Sequence, residues 1–177
     1  MKKLLAITTF LLTAAAAMAA NFEKPITLTS IGQSADVQMV KALLKKAKID
    51  VNFDKAVTKE GLKDEKTLIL AIGGSSKGLG AAGIKVEDEL ERTETLIKGA
   101  KEKGIKIIGM HIGGAARRGE LSDKFVNAAA PYADYLIVVE EGNKDGAFTK
   151  IAEEKNIPMD TIPKITNAVE PLTKAFE

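Results

Sequence analysis

The sequence predicts an α/β fold: a three-layer α-β-α sandwich around a mainly parallel, five-stranded sheet in the flavodoxin-like or Rossmann-like order 2-1-3-4-5. Three observations carry this expectation. Short β-branched runs alternate with amphipathic helical stretches along the chain. The run "TLILAI" at 67–72 is apolar on both faces, as in a strand covered by helices on either side. Right-handed crossovers joined by short loops leave few other arrangements of five parallel strands.

Taken in order, "PITLTSI" gives a first strand over Ile26–Ile31, and "SADVQMVKALLKKAK" a helix whose apolar positions Val37, Val40, Leu43, Leu44 and Ala47 recur at helical spacing. Ser34 is expected as its N-cap, with Asp36 in the first turn. "IDVNF" is a short second strand, and "KAVTKEGLKDEK" a polar connection with room for a helical turn. After the third strand, Thr67–Ile72, the pattern repeats: helix "VEDELERTETLIKGAKEK", strand "IKIIGMHI", helix "LSDKFVNAAAPYA", strand "DYLIVV" and helix "GAFTKIAEEK". A short "IPMDTI" strand and an amphipathic stretch near "KITNAVEPLTKAF" finish the chain.

The first residues, "MKKLLAITTFLLTAAAAMAA", have the layout of a secretory signal: two lysines, an apolar run, then small residues. Cleavage is expected after Ala19, with Ala17 and Ala19 supplying the small side chains before the cut, which divides the chain into a 1–19 leader and a single 20–177 domain. The protein is therefore expected to be exported, periplasmic or extracellular. No cysteine follows the apolar run or occurs elsewhere, so neither a lipid-anchored cysteine nor disulfides enter the argument. Stability must come from the core.

The 26 basic and 24 acidic residues give a formal net charge of +2, and loss of Lys2 and Lys3 with the leader brings the two into balance. That argues against nucleic acid as a partner, which favours a clustered cationic excess. The lysines are spread among glutamates along helices and read as a solvated face.

The unusual residues collect at one edge. In doubly wound sheets ligands bind beyond the carboxyl ends of the strands, near the point where strand order reverses. There the sequence offers "GQSAD", "GGSSKGLGAAG", "HIGGAARRGELSD" and "EEGNKDG", holding most of the glycines, the only histidine and the only adjacent arginines. The residues expected to bind ligand are Gln33, Ser34, Asp36, Gly74, Ser75, Ser76, Lys77, His111, Arg117, Arg118 and Asn143. Glycines there would let backbone amides face an anion, and a guanidinium would grip a carboxylate or phosphate with a planar fork of donors. The plainer reading is four tight turns, with the arginines pairing Glu120 or Asp123.

Gly74-Ser-Ser-Lys-Gly78-Leu-Gly80 fits the G-x-x-x-G-x-G spacing of short-chain dehydrogenases. Against that match, Gly83 and the acidic "VEDELE" are expected to delay the helix, and the tyrosine–lysine pair of that family is missing: Leu136 follows Tyr132, and Val139 follows Tyr135, at the required spacing. The P-loop order is absent too, since Lys77 precedes Gly78 and no Ser or Thr follows. No cofactor is expected. A lone His111 builds no multi-histidine metal site. It stands either as a structural histidine or as a general base for Ser34, Ser75 or Ser76.

The runs "SIGQSADVQMVKALL", "LAIGGSSKGLGAAGI", "HIGGAARRGELSDKF" and "YLIVVEEGNKDG" resemble an uncharacterised family of exported bacterial proteins known as a domain of unknown function. The likeness covers nearly all of the chain after the leader. It implies no activity, but it implies that these loops act together as one site. Two functions follow: a non-catalytic module that holds a small anionic metabolite for a membrane transporter or sensor, or a small serine/histidine-dependent hydrolase or transferase.

Overall fold

The computed structural model describes residues 22–177; the expected leader and its cleavage site after Ala19 lie outside the described residues. Six strands form one all-parallel sheet in the order β2-β1-β3-β4-β5-β6, with β1 at Ile26–Ile31, β2 at Asn52–Phe53, β3 at Thr67–Ile72, β4 at Lys106–His111, β5 at Tyr135–Val139 and β6 at Met159–Ile162. The predicted 2-1-3-4-5 order holds. The short "IPMDTI" segment extends it to six strands by pairing with β5 from Leu136↔Met159 to Val139↔Ile162.

Period-two alternation splits the central strand between two cores. Leu68, Leu70 and Ile72 of β3 pack on one face against residues of helices α2 (Ser76–Ala82), α3 (Val86–Glu102), α4 (Glu120–Ala129) and α5 (Ala147–Lys155). Ile69 and Ala71 join Val37, Val40, Leu43 and Leu44 of α1 (Asp36–Lys46), and Leu172 of α6 (Val169–Ala175), on the other. Both faces of β3 are thus dry, as its unbroken apolar run demands.

Helix α2 corrects the sequence reading, which placed the helix start beyond Gly83. Two glycines in seven residues are poor helix formers. A local cap and core burial supply what propensity lacks: the Ser75 hydroxyl accepts the Gly78 amide at 3.0 Å, and Leu79 is buried in the core. Gly83, left-handed at φ 66°, ends the helix and separates it from α3. Ser34, the expected cap of α1, lies one position before the cap residue Ala35, yet its hydroxyl still accepts the Asp36 amide at 3.1 Å.

Candidate functional site at the carboxyl edge

β1 and β3 are sheet neighbours whose connections leave in opposite directions, so the loops after them splay apart at this edge. The β1 loop turns sharply through Gly32 at φ 83° and Gln33 at φ 57°, and an isolated antiparallel bridge ties Gln33 to Gly74. A buried carboxylate holds the turn. Glu89 Oε1 accepts the Gly32 amide at 2.9 Å and Gln33 Nε2 at 3.1 Å, while Arg92 donates to both its oxygens at 2.7 and 2.8 Å. Arg92 also donates to the Val57 carbonyl at 2.7 Å. Glu89 is fully buried, and its carboxylate is satisfied by four donors, two of them from the Arg92 guanidinium.

This pair is what the sequence reading missed. A Glu and an Arg three apart on a helix read as solvated surface. The available signal is position: Glu89 lies on the same helical stripe as the buried Thr93, Leu96, Ile97 and Ala100.

The glycine-rich loop uses its amides internally. Gly73 N–H donates to the Ile31 carbonyl at 3.0 Å, Ser75 N–H to the Gly32 carbonyl at 2.9 Å, and Gly74 N–H to Ser122 Oγ at 3.0 Å. A Cβ on Gly78 would lie 1.9 Å from the Gln33 carbonyl oxygen. In a dinucleotide loop such a glycine makes room for pyrophosphate; here the protein's own backbone fills the room. Ser76 and Lys77 stand exposed at the start of α2.

Ser34, Asp36 and Arg117 come together from the β1 and β4 loops. Arg117 Nε donates to Ser34 Oγ at 3.1 Å and to Asp36 Oδ2 at 3.2 Å. Its terminal nitrogens bond to no described residue, and its side chain is 32% exposed against 14% for Asp36. Gly113 is required for this crossing, since a Cβ there would fall 2.1 Å from Arg117 Cγ and 2.3 Å from Asp36 Oδ2.

Arg118 turns the other way. Its Nε donates to Asp123 at 2.8 Å, and its terminal nitrogens meet the Gly142 carbonyl at 2.6 Å and both Asp145 oxygens at 2.9 Å. Hydrogen bonding to Asp145, then to Asp123, raises its already high pKa. Asn143 closes the same knot by accepting the Phe148 amide at 2.9 Å and donating to Thr149 at 2.8 Å, which caps α5.

His111 lies beneath that knot. It is fully buried, its Nδ1 is 3.0 Å from the Ile72 carbonyl, and its ring packs 4.9 Å from Phe148. Donation to a carbonyl fixes the proton on Nδ1. Nε2 is then a buried acceptor with no partner, so neither ring nitrogen meets the hydroxyl of Ser34, Ser75 or Ser76. A Cβ on Gly142 would come within 2.6 Å of Nε2, so the overlying loop closes directly on the ring. Burial holds the imidazole pKa below its ordinary value, with the Arg118 charge adding to that effect against the Ile72 and Gly114 backbone and Asp36.

Concave surface is found on the flanks, including a cavity of about 530 Å³ between α3 and α4.

The fold and its edge define a doubly wound α/β domain with a serine–aspartate–arginine cluster over the strand-order reversal and a sealed histidine beside it. The chain belongs to the family described as Domain of unknown function (DUF6305), whose model matches residues 23–176. A comparison with the curated proteins finds no match.

Among solved structures the chain is similar to the psychrotrophic esterase EstA from Pseudoalteromonas sp., at 14% identity and a TM-score of 0.33 over 77% of this chain and 76% of that one. It is also similar to a GDSL-like lipase from Bacteroides thetaiotaomicron, at 11% identity and a TM-score of 0.36 over 77% and 66% of the two chains. For AlinE4, an SGNH-hydrolase family esterase, the identity is 11% and the TM-score 0.33 over 83% and 79%. Likeness at these values says nothing about activity.

Proposed function

We propose that this protein is a non-catalytic binding module that holds a small anionic metabolite at the carboxyl edge of its sheet, over the reversal of strand order between β1 and β3. The observation that carries the reading is the state of Arg117. Its Nε is anchored by Ser34 and Asp36 while the terminal nitrogens are left without a partner among the described residues. An arginine pinned at its neck presents its planar fork with little entropy left to lose on binding. Ser76 and Lys77 are exposed on the glycine-rich loop of the same edge. Gln33, Gly74, Ser75, His111, Arg118 and Asn143 support the site by locking the loops, not by touching the ligand. The leader-like composition of residues 1–19 supports export, and an exported binder of this kind would serve a membrane transporter or sensor.

Thermal denaturation against a panel of small carboxylates, amino acids among them, phosphates and nucleotides tests this. A ligand present at about a hundred times its Kd adds roughly 2.7 kcal/mol, worth about 5–10 °C in Tm for a domain of this size. The increment should vanish in Arg117→Ala. A silent panel with a cooperatively folding protein refutes the small-anion reading.

A further inference from the structure

The cluster that presents Arg117 is not simply cationic. Asp36 Oδ2 accepts from Arg117 Nε, but Oδ1 bonds to no described residue. The 14% exposure of its side chain leaves that carboxylate reachable. One unfilled anion acceptor therefore stands beside one unfilled guanidinium fork, and the two charges cancel. Arg118 adds no free cation, because Asp123 and Asp145 pair with it in a separate knot.

From this we infer that the ligand is a zwitterion of the α-amino acid class, its carboxylate bidentate on the Arg117 terminal nitrogens and its ammonium on Asp36 Oδ1. A phosphate dianion set on the same fork would face the Asp36 carboxylate and be repelled. A plain carboxylate would leave Asp36 without a partner. An ammonium on the carbon next to the carboxylate satisfies both groups at once, and the fork geometry matches a planar carboxylate better than a tetrahedral anion. The site is built for this pair. Gly113 gives Asp36 and Arg117 the space to cross, Ser34 Oγ receives both the Asp36 amide and Arg117 Nε, and Gly73 lies under the pair with its would-be Cβ 3.7 Å from Ser34, Asp36 and Arg117 atoms. This inference rests on the anion-binding reading above and narrows its ligand.

Calorimetric titration of the purified protein with the common L-amino acids, with acetate and inorganic phosphate as plain anions, tests it. At least one amino acid should bind, and its N-acetyl and carboxamide derivatives should each bind about tenfold or more weakly, as expected for loss of one charge-assisted contact. Asp36→Asn should weaken the amino acid by a similar factor and leave its N-acetyl form unchanged or tighter. Arg117→Lys should weaken both forms, with circular dichroism and unliganded Tm reporting that each variant is folded. If acetate or phosphate binds as tightly as any amino acid and Asp36→Asn improves binding, the zwitterion is refuted while the anion site stands. Binding of neither class to folded wild type refutes both.

Discussion

Acidification should destabilise this protein between pH 7 and pH 5 through a single side chain. The folded His111 has a lowered pKa, whereas in the unfolded chain it returns to its ordinary value of 6.5. Below about pH 6.5 the unfolded state therefore binds a proton that the folded state refuses, and stability rises with pH through that interval. Above pH 7 both states are neutral at this residue and its contribution is fully present. One proton difference gives a slope of at most about 1.4 kcal/mol per pH unit, so the loss between pH 7 and pH 5 has a ceiling of about 2 kcal/mol. For a domain of this size that is roughly 4–8 °C in Tm. The structure says why the proton is refused: the ring is buried and the Arg118 charge lies near it, and together these outweigh the Ile72 and Gly114 backbone and Asp36.

Carboxylates held below their ordinary values, Asp145 and Glu102 among them, lose their contribution only as pH falls through the acid range below about 4.5, outside this window. Urea unfolding at pH 7, 6 and 5, for wild type and His111→Asn, measures the effect. The amide of Asn keeps a donor for the Ile72 carbonyl but does not titrate. The variant should be less stable at pH 7 and nearly flat between pH 7 and 5. A variant with the wild-type slope, or a wild type that is itself flat, refutes the assignment.

Two further changes probe the lock beneath the site. Glu89→Gln removes the charge opposite Arg92 inside the fold and should cost about 3 kcal/mol or more in a denaturant titration, because a buried guanidinium is left uncompensated. A loss under 1 kcal/mol would show that water reaches the pair. Gly78→Ala places a methyl group 1.9 Å from the Gln33 carbonyl and must displace backbone, so it should cost about 1–3 kcal/mol and speed amide exchange at Gly32–Ser75; Gly80→Ala, whose Cβ meets nothing within 4 Å, should be neutral or stabilising.

The apolar patterns made the scaffold legible. Ile26–Ile31 and Thr67–Ile72 are strands at the bounds read from their β-branched and apolar runs, and the apolar positions Val37, Val40, Leu43 and Leu44 lie on the buried face of α1. Burial is periodic and local, so a linear pattern encodes it. The edge at which the unusual residues collect was legible too, because glycines, His111 and the arginine pair fall after strand ends. What each of those residues does was not. Arg117 and Arg118 are adjacent in sequence, yet one joins Ser34 and Asp36 across the strand-order reversal, and the other closes a knot with Asp123, Gly142 and Asp145. The buried Glu89 likewise depends on a partner far along the chain. Propensity and periodicity describe a residue against its near neighbours, whereas a hydrogen bond between residues 32 and 89 or 34 and 117 exists only once the sheet has brought their loops to one edge. The sequence by itself determined the strand order and the edge at which the unusual residues collect; the tertiary structure alone decided which polar groups meet there, because those meetings are set by three-dimensional distance and not by spacing.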